Sequence, residues 1–577
     1  MKISQIFFGL LTYVELSHGF VSVRPSIHMP HSHKTRSFST SHMHSKSEPS
    51  DEYDVVIVGS GIGGLSCAAM LCLYNYKVAV FESHYSAGGV AHGYSVKKGD
   101  VEYHFDTGPS FFSGLNPNMP AKLSNPLRTV LDAIDEKVEC IPYTSFGLHF
   151  PEGKFIHTPS FGEKGGTLEQ ISSNASKEWE TMMKKIEPLA AAVDALPTAA
   201  LRGDVAVALT AAPFLKNFIK TNPLENLKLT KPFSSVLEET ITDTFTRNWL
   251  DLLCFCLSGL PSNGTITAEM AMMIPEFYDK SAVMDCPKGG AKSIINALVR
   301  GIENRGGKIF LNSHVEKINI ESGKATGIKL SKSGKSITAK KGVVSNLSVW
   351  DLFSSGIVDK NEFPDAFVKE RMSTPVGKSF MHLHVGFKAT RRELEKLQAH
   401  YMYIDDWNRG VESEDNAVLI SIPSVHDETL ASEGYAVLHA YTPATESYER
   451  WAGLDRKSDE YKKLKEERSQ YLWNVLEKII PDIRDRVEHV QIGTPLTHER
   501  FNRRYKGSYG AAINASEGSF PFPGTPIKNL LVCGDSCFPG IGVPAVAGSG
   551  LLTANSVSLD SLKSQLQVLE NLRQKHQ

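Results

Sequence analysis

The sequence lacks an excess of charge of either sign, because 62 basic and 64 acidic residues leave a formal net charge of -2 across 577 residues. Proteins that bind nucleic acid use a broad positive field to attract phosphates, so this balance argues against nucleic acid as a partner. The start of the chain also lacks a membrane-spanning segment, since the apolar residues 6–14 fall short of the roughly 20 residues that a spanning helix requires.

Cysteine is scarce, and its eight positions show none of the paired spacings that bind metals. We therefore expect no metal site and interpret the cysteines as reduced, mostly buried thiols. Cys254 and Cys256 form the tightest pair. They are either a redox pair or core residues, and their apolar helical surroundings favour core packing.

The first 50 residues have the composition of a targeting presequence. Residues 1–16 combine Lys2 with the short apolar stretch, as in a signal peptide. Residues 21–47 carry basic residues, serine and histidine without an acidic residue, as in an organelle transit peptide. This order resembles the bipartite presequences of plastids that are surrounded by extra membranes. We therefore expect the folded protein to begin near residue 51 and to reside in a plastid (chloroplast).

A glycine-rich loop follows the first predicted strand. Residues 53–58 are largely apolar, as in a buried parallel strand, and the next residues read G-x-G-x-x-G before a predicted helix over residues 63–74. We expect Gly59 to make a tight turn, Gly61 to let backbone N–H groups approach a pyrophosphate, and Gly64 to let the helix lie close to the sheet. The pattern predicts a dinucleotide site.

Two acidic residues at strand ends decide which dinucleotide is expected. Glu82 follows a second predicted strand, where an acid accepts hydrogen bonds from the adenosine ribose, which argues against NADP but does not separate NAD from FAD. Near the other end of the chain, Asp535 follows a strand predicted over residues 529–533 and can hold a ribityl or ribose hydroxyl. A glycine-rich run then enters a helix whose first N–H groups, near Val543, can face the pyrimidine edge of a flavin. The two ends together predict one FAD site.

These segments predict an α/β flavoprotein in which a Rossmann-like FAD domain, built from two dinucleotide-binding parts, is interleaved with an α+β substrate domain. A chain of this length exceeds the ~250 to 300 residues that one core supports. We assign residues 51–157, 291–350 and 526–577 to the FAD domain. The substrate domain takes residues 158–290, which are mainly helical, and residues 351–525, which combine a sheet with helices.

Residues 205–220 have two interpretations. They are strongly apolar and end in two lysines interleaved with phenylalanines. The segment is either a core helix broken at Pro213 or a face that lies on a membrane, with Lys216 and Lys220 near the lipid headgroups.

No acid–base motif stands out, and we name no catalytic residue. His382 and His384 share one face of a strand predicted over residues 380–387, and with no third partner visible in the sequence we favour hydrogen-bonded structural roles. Tyr278 and Tyr441 are further conceivable groups near a substrate, for which packing is again the favoured role. An amphipathic helix is predicted over residues 455–480.

The chain resembles the family of carotenoid isomerases, phytoene desaturases and retinol saturases. The resemblance spans residues 53–559 and rests on the glycine loop, Gly88-Gly89, and the segments 105–110, 287–290 and 534–550. Residues 493–510 and the helix ending at Pro481 look specifically like carotenoid isomerases. Residues 105–115 differ from the pattern expected of prolycopene isomerases and look more like their paralogues.

This resemblance implies a function and a set of cofactor contacts. Contacts to FAD would come from Gly59, Ser60, Gly61, Gly63, Gly64, Glu82, Gly89, Val315 and Asp535. The family also implies an apolar tunnel for a conjugated polyene, shallow attachment to an internal membrane, and reduced FAD. We expect a redox-neutral isomerisation or hydration of a carotenoid. The alternatives are a desaturase or retinol-saturase-like enzyme, a non-catalytic carotenoid carrier that retains FAD, and an amine oxidase.

Overall fold

The computed structural model describes residues 48–118, 125–221, 224–279 and 284–575. The predicted presequence lies outside the described residues, apart from its last three positions.

Strands and helices follow one another in runs of unequal length along the described chain. The first third contains β1 (Glu52–Val58), α1 (Ile62–Leu73), β2 (Val78–Phe81), β3 (Gly93–Lys98), β4 (Val101–Asp106), β5 (Phe112–Ser113), α2 (Pro126–Ala133), β6 (Cys140–Tyr143), β7 (Phe146–Phe150), β8 (Gly153–His157), α3 (Thr167–Ile171) and α4 (Ala175–Ala195). The middle contains α5 (Val207–Lys220), α6 (Ser234–Leu237), α7 (Thr244–Ser258), α8 (Thr267–Tyr278), β9 (Met284–Pro287), α9 (Lys292–Glu303), β10 (Lys308–Phe310), β11 (Val315–Glu321), β12 (Lys324–Leu330), β13 (Ser336–Ser345), α10 (Val349–Ser354) and α11 (Asp365–Met372). The last third contains β14 (His382–Lys388), α12 (Arg391–Leu394), β15 (His400–Ile404), β16 (Ala417–Ser421), β17 (Tyr435–Tyr441), α13 (Asp459–Ile479), α14 (Ile483–Arg486), β18 (Val487–Gly493), α15 (Pro495–Asn502), β19 (Leu530–Val532), α16 (Val543–Ser556) and α17 (Leu562–Lys575).

One mixed sheet gathers three distant parts of the chain. Its order is β10-β2-β1-β13-β12-β11, with β19 paired to the end of β13. The pairs that join β10, β2, β1, β13 and β19 are parallel, whereas β12 and β11 are antiparallel. Val55, Val56 and Ile57 are fully buried, as expected for a parallel strand covered on both faces. The predicted α/β class is confirmed.

A second sheet of seven strands lies in the order β18-β14-β17-β16-β15-β7-β8 and is antiparallel except for the pair β7 and β15. Its members β7 and β8 come from residues 146–157, which the sequence interpretation placed in the FAD domain. They pair with β15, more than 240 residues later in the chain. Local sequence patterns do not encode such a pairing, which explains the difference.

One of the two interpretations of residues 205–220 expected a core helix that breaks at Pro213, whereas α5 is one continuous helix with Pro213 inside it. Proline removes one intrahelical hydrogen bond and leaves a carbonyl without a partner. Here Pro213 and Leu209, whose carbonyl is four residues earlier, are both exposed, so water can solvate that carbonyl. The helix therefore tolerates the proline.

Two helices built from small residues join the beginning of the FAD domain to its end. A Cβ atom added to Gly550 of α16 would lie 2.1 Å from the carbonyl oxygen of Gly63 in α1. The contact therefore requires glycine, since it involves rigid backbone on the opposing helix. It brings the two helices that follow β1 and β19 side by side.

We predict that Gly550→Ala destabilises the protein by about 1 to 3 kcal/mol, as expected for overpacking. The higher helix propensity of alanine offsets at most roughly 1 kcal/mol of this overpacking cost. We therefore expect a lower melting temperature for Gly550→Ala. Gly524→Ala is the control, because an added Cβ there meets nothing within 4 Å. Equal thermal denaturation midpoints for the two variants would contradict the prediction.

Candidate functional site

A cavity of about 510 Å³ lies between the carboxyl ends of the parallel strands and the second sheet. This volume falls within the ~300 to 1,000 Å³ of ligand sites, and strand ends of this kind are where open α/β sheets bind ligands. Seven of the predicted contact residues line it: Gly59, Gly61, Glu82, Gly89, Val315, Asp535 and Val543. The other three, Ser60, Gly63 and Gly64, lie behind this wall, where they support the loop.

The glycine loop has the geometry that its pattern predicts. Gly59 has φ +96°, and its N–H donates to the carbonyl of Phe81 over 2.8 Å. A Cβ atom on Gly64 would lie 2.3 Å from the carbonyl oxygen of Gly59, so only glycine lets α1 begin this close to the turn. Gly61 caps α1, whose N-terminal N–H groups therefore point toward the cavity.

Glu82 is held by the loop that it faces. Its Oε2 accepts hydrogen bonds from the N–H of Ser60 over 2.8 Å and from the Ser60 hydroxyl over 2.7 Å, while its Oε1 accepts from the N–H of His84 over 2.8 Å. These bonds fix the carboxylate at the cavity wall. Its remaining lone pairs can accept hydrogen bonds from ribose hydroxyls.

The N-terminus of α16 forms the opposite wall of the cofactor end. Gly542 caps the helix with φ +94°, Pro544 lies in the first turn, and that turn contains no acidic residue. Residues 542–546 line the cavity. The unpaired N–H groups of a first helical turn favour negative charge in front of them, so this wall suits an electron-rich ring.

Arg503 and Arg504 are site residues that sequence reasoning missed. Both line the cavity, and Arg504 Nη2 donates to Asp535 Oδ2 over 2.5 Å. Asp535 therefore shares its carboxylate between this ion pair and any hydroxyl of a ligand. The two adjacent arginines, which follow shortly after residues 493–497, were the available signal. Asp535, the partner of Arg504, lies 31 residues away in the sequence.

These residues fit FAD. The N-terminus of α1 and two arginines supply positive potential for the pyrophosphate, and the N-terminus of α16 suits the flavin ring. The glycines allow close backbone approach, and Glu82 supplies an acceptor for the ribose. Val315 lies at the start of β11, beside the cavity-lining His314, at the same end of the cavity as Glu82.

The opposite end of the cavity is mostly apolar. It is lined by side chains from α7, α8 and the second sheet, namely Leu253, Phe255, Cys256, Leu257, Met272, Met273, Phe277, Phe380, Met402, Leu419 and Tyr441. Cys254 is buried, and both Cys254 and Cys256 are free thiols. An apolar wall of this kind, with flexible methionines, suits an extended hydrophobic ligand.

Four buried histidines meet beside the apolar end, which supplies the partners that the sequence did not reveal for His382 and His384. His382 Nδ1 lies 2.7 Å from His439 Nε2, and His382 Nε2 lies 2.7 Å from His498 Nε2. His384 Nε2 donates to the Asp106 carbonyl over 3.0 Å. Burial lowers the pKa of all four, to about 4 for His384 and about 3 for His498, so the rings are neutral at pH 7.

The remaining candidates separate into wall and core positions. Tyr441 and His382 line the cavity. Tyr278 is buried outside the cavity wall, where its hydroxyl accepts a hydrogen bond from Trp249 Nε1 over 2.8 Å. Within the described ranges, no group of three or more His, Cys, Asp or Glu side chains is arranged to hold a metal ion.

We predict that Glu82→Ala weakens FAD binding by about tenfold to a hundredfold. Hydrogen bonds to charged groups contribute about 1.5 to 3 kcal/mol each, and the variant loses the acceptor while freeing the Ser60 N–H. The measurement is the flavin absorbance retained by the purified protein during dialysis. Glu433→Ala, at an exposed position, is the control and should stay yellow. Full flavin retention by Glu82→Ala would contradict the assigned role.

Comparison with known proteins identifies several relatives of this architecture. Residues 62–558 match the family described as flavin containing amine oxidoreductase. Prolycopene isomerase 1, chloroplastic, from an Oncidium hybrid cultivar is 31% identical over 527 residues, which cover 89% of this chain and 85% of that protein. All-trans-retinol 13,14-reductase from Danio rerio is 26% identical, with 88% and 86% covered. Among solved structures, wild-type putrescine oxidase bound to putrescine superposes with a TM-score of 0.55 at 16% identity, covering 87% of this chain and 98% of that one.

Proposed function

Because the chain belongs to the flavin containing amine oxidoreductase family, in its carotenoid isomerase-like branch, we propose that this FAD-dependent enzyme performs a redox-neutral change on a conjugated carotenoid. The observation that carries the proposal is one cavity that runs from the glycine loop to an apolar wall. A polyene at the apolar end would lie beside a flavin held at the other end. Isomerisation and hydration are the two reactions that fit this description.

The alternatives differ in what they need from the apolar end. A desaturase or a retinol-saturase-like enzyme needs the same wall but an external acceptor or donor of electrons. An amine oxidase needs polar groups that recognise an amine. The similarity to putrescine oxidase, at 16% identity, supports only a shared fold. A carrier that retains FAD would bind the polyene without changing it.

The residues of the chain would hold the reactants and exclude water. When bound, reduced FAD supplies an electron-rich ring that can perturb a polyene double bond transiently. The N-terminus of α16 would stabilise negative charge on that ring. The apolar side chains of α7 and α8 would keep the polyene dry, which strengthens every electrostatic interaction inside the cavity.

A membrane face fits the exposed side of α5 together with exposed apolar residues before and after it. Val205 is 87% exposed, Leu209 59% and Leu224 79%, and Lys216 and Lys220 are exposed beside them. We propose that these side chains enter the headgroup region of an internal plastid membrane, from which a carotenoid is drawn. None of the described helices combines the length and apolar character that crossing a bilayer requires.

Expression with FAD in bacteria that accumulate defined carotenoids tests the reaction. We expect a pigment product with the mass of its precursor, or with one water added. The control is Gly61→Val, because a Cβ there would lie 2.6 Å from Asn346 Oδ1 and would block the pyrophosphate, so it should bind no flavin and form no product. Products that have lost or gained only hydrogen would favour the desaturase or saturase alternatives, and an unchanged bound pigment would favour the carrier.

Flotation with vesicles of galactolipid and phosphatidylglycerol tests the membrane face. We expect the triple variant Val205→Ser, Leu209→Ser and Leu224→Ser to bind at least tenfold more weakly, because burying one such side chain contributes about 1.5 to 3 kcal/mol. Flavin content should not change. Val490→Ser, at an apolar residue 38% exposed on β18, is the matched control. Equal vesicle binding by the triple variant and the control would refute the proposed face.

A further inference from the structure

Two carboxyl groups of one helix line the cavity. Glu269 lies on α8, and its neighbours on the same helical face are Met272, Met273 and Glu276, at spacings of three, four and seven residues. All four side chains line the cavity. The helix therefore presents acids to a space whose other walls are mostly hydrocarbon.

Glu269 differs from Glu276 in its surroundings. The Ser113 hydroxyl donates a hydrogen bond to Glu276 Oε2 over 3.2 Å, so that carboxylate is already engaged as an acceptor. Across the described part of the chain, no hydrogen bond or salt bridge reaches the Glu269 carboxyl. Burial raises the pKa of Glu269 to about 8, and this side chain therefore carries its proton at pH 7.

Tyr509 and Gly510 connect the surroundings of Glu269 with the cofactor end of the cavity. The nearby Tyr509 hydroxyl donates to the carbonyls of Cys256 and Leu257, over 3.1 Å and 2.9 Å, which places Tyr509 against the end of α7. Burial, and then the charge of Glu269, raise the pKa of Tyr509, so the two side chains are within electrostatic range. The next residue, Gly510, reaches the cofactor end, because a Cβ there would lie 3.4 Å from Asp535 Oδ2.

We propose that Glu269 is a catalytic acid that transfers its proton to the conjugated polyene. The inference rests on the proposed function and names a residue that performs it. Glu269 is a neutral acid in an apolar cavity that continues to the expected position of the flavin. Such an acid is matched to a hydrocarbon substrate, which offers only π electrons. Glu276, which accepts a hydrogen bond from Ser113, and the neutral histidines are less suited than Glu269 to donate a proton.

The proton transfer is balanced without an external oxidant or reductant. The O–H bond of Glu269 breaks as a C–H bond forms with the π electrons of one polyene double bond, which leaves a cation delocalised along the remaining conjugated chain. The protonated double bond becomes a single bond and can rotate. Return of a proton from the same carbon to the Glu269 carboxylate restores the double bond in its new geometry. Addition of water to the cation, with loss of a proton from that water to Glu269, gives hydration.

The test compares Glu269→Gln with the wild type, both loaded with FAD, on the carotenoid that the wild type converts. We expect turnover to fall by about 10² to 10⁴, the usual contribution of a general acid, while flavin absorbance and polyene affinity stay unchanged. Glu269→Asp should recover part of the rate. The wild-type rate should be constant below pH 8 and fall as pH rises through about 8, because the protonated form is the active one.

Two carboxyl variants separate this role from a structural one. Glu187→Gln, at an exposed position on α4, should leave the rate unchanged. Loss of turnover in Glu276→Gln with full turnover in Glu269→Gln would show that Glu276, and not Glu269, is the acid. This result would overturn the inference. If the wild type converts a polyene and Glu269→Gln converts it at the same rate, this inference is overturned while the proposed function stands. If the wild type converts no polyene, both the proposed function and this inference are overturned.

Discussion

The contact between α1 and α16 is the constraint on which the cofactor site depends. Gly63 and Gly550 let the two helices approach at backbone distance, although 487 residues separate them in the chain. Each helix follows a parallel strand, so its N-terminus points toward the same sheet edge. The two positive helix ends thereby face one space.

The cavity has a polar end and an apolar end, which suit different ligands. At the strand ends, hydrogen-bond donors, Glu82 and an arginine pair surround the place for a charged dinucleotide. At the other end, α7, α8 and the second sheet offer hydrocarbon walls. The absence of a conspicuous acid–base motif in the sequence follows from this division, because an apolar substrate leaves little for polar side chains to bind. A single isolated acid such as Glu269 carries no local sequence signature.

Sequence patterns predicted what is determined locally. The strand, glycine loop and helix of residues 53–74 were placed to within a residue or two, since apolar runs and G-x-G-x-x-G constrain a short continuous segment. Pairings across the chain were beyond such patterns. The sequence did not indicate that residues 146–157 join the second sheet, that Arg504 binds Asp535, or that His439 and His498 complete the cluster around His382. The interpretation of residues 205–220 as a helix broken at Pro213 was wrong, because the continuity of α5 depends on which side of the helix meets water.

The cofactor sheet draws strands from residues 52–81, 308–345 and 530–532, and this arrangement determines when the site can exist. Chain closure between such distant segments is slow compared with local folding. While the ribosome is still producing the last tenth of the protein, β13 lacks its neighbour β19 and α1 lacks α16. The nascent chain therefore has no complete flavin site until β19 and α16 have been synthesised. Acquisition of the cofactor is a late, post-translational event for this topology.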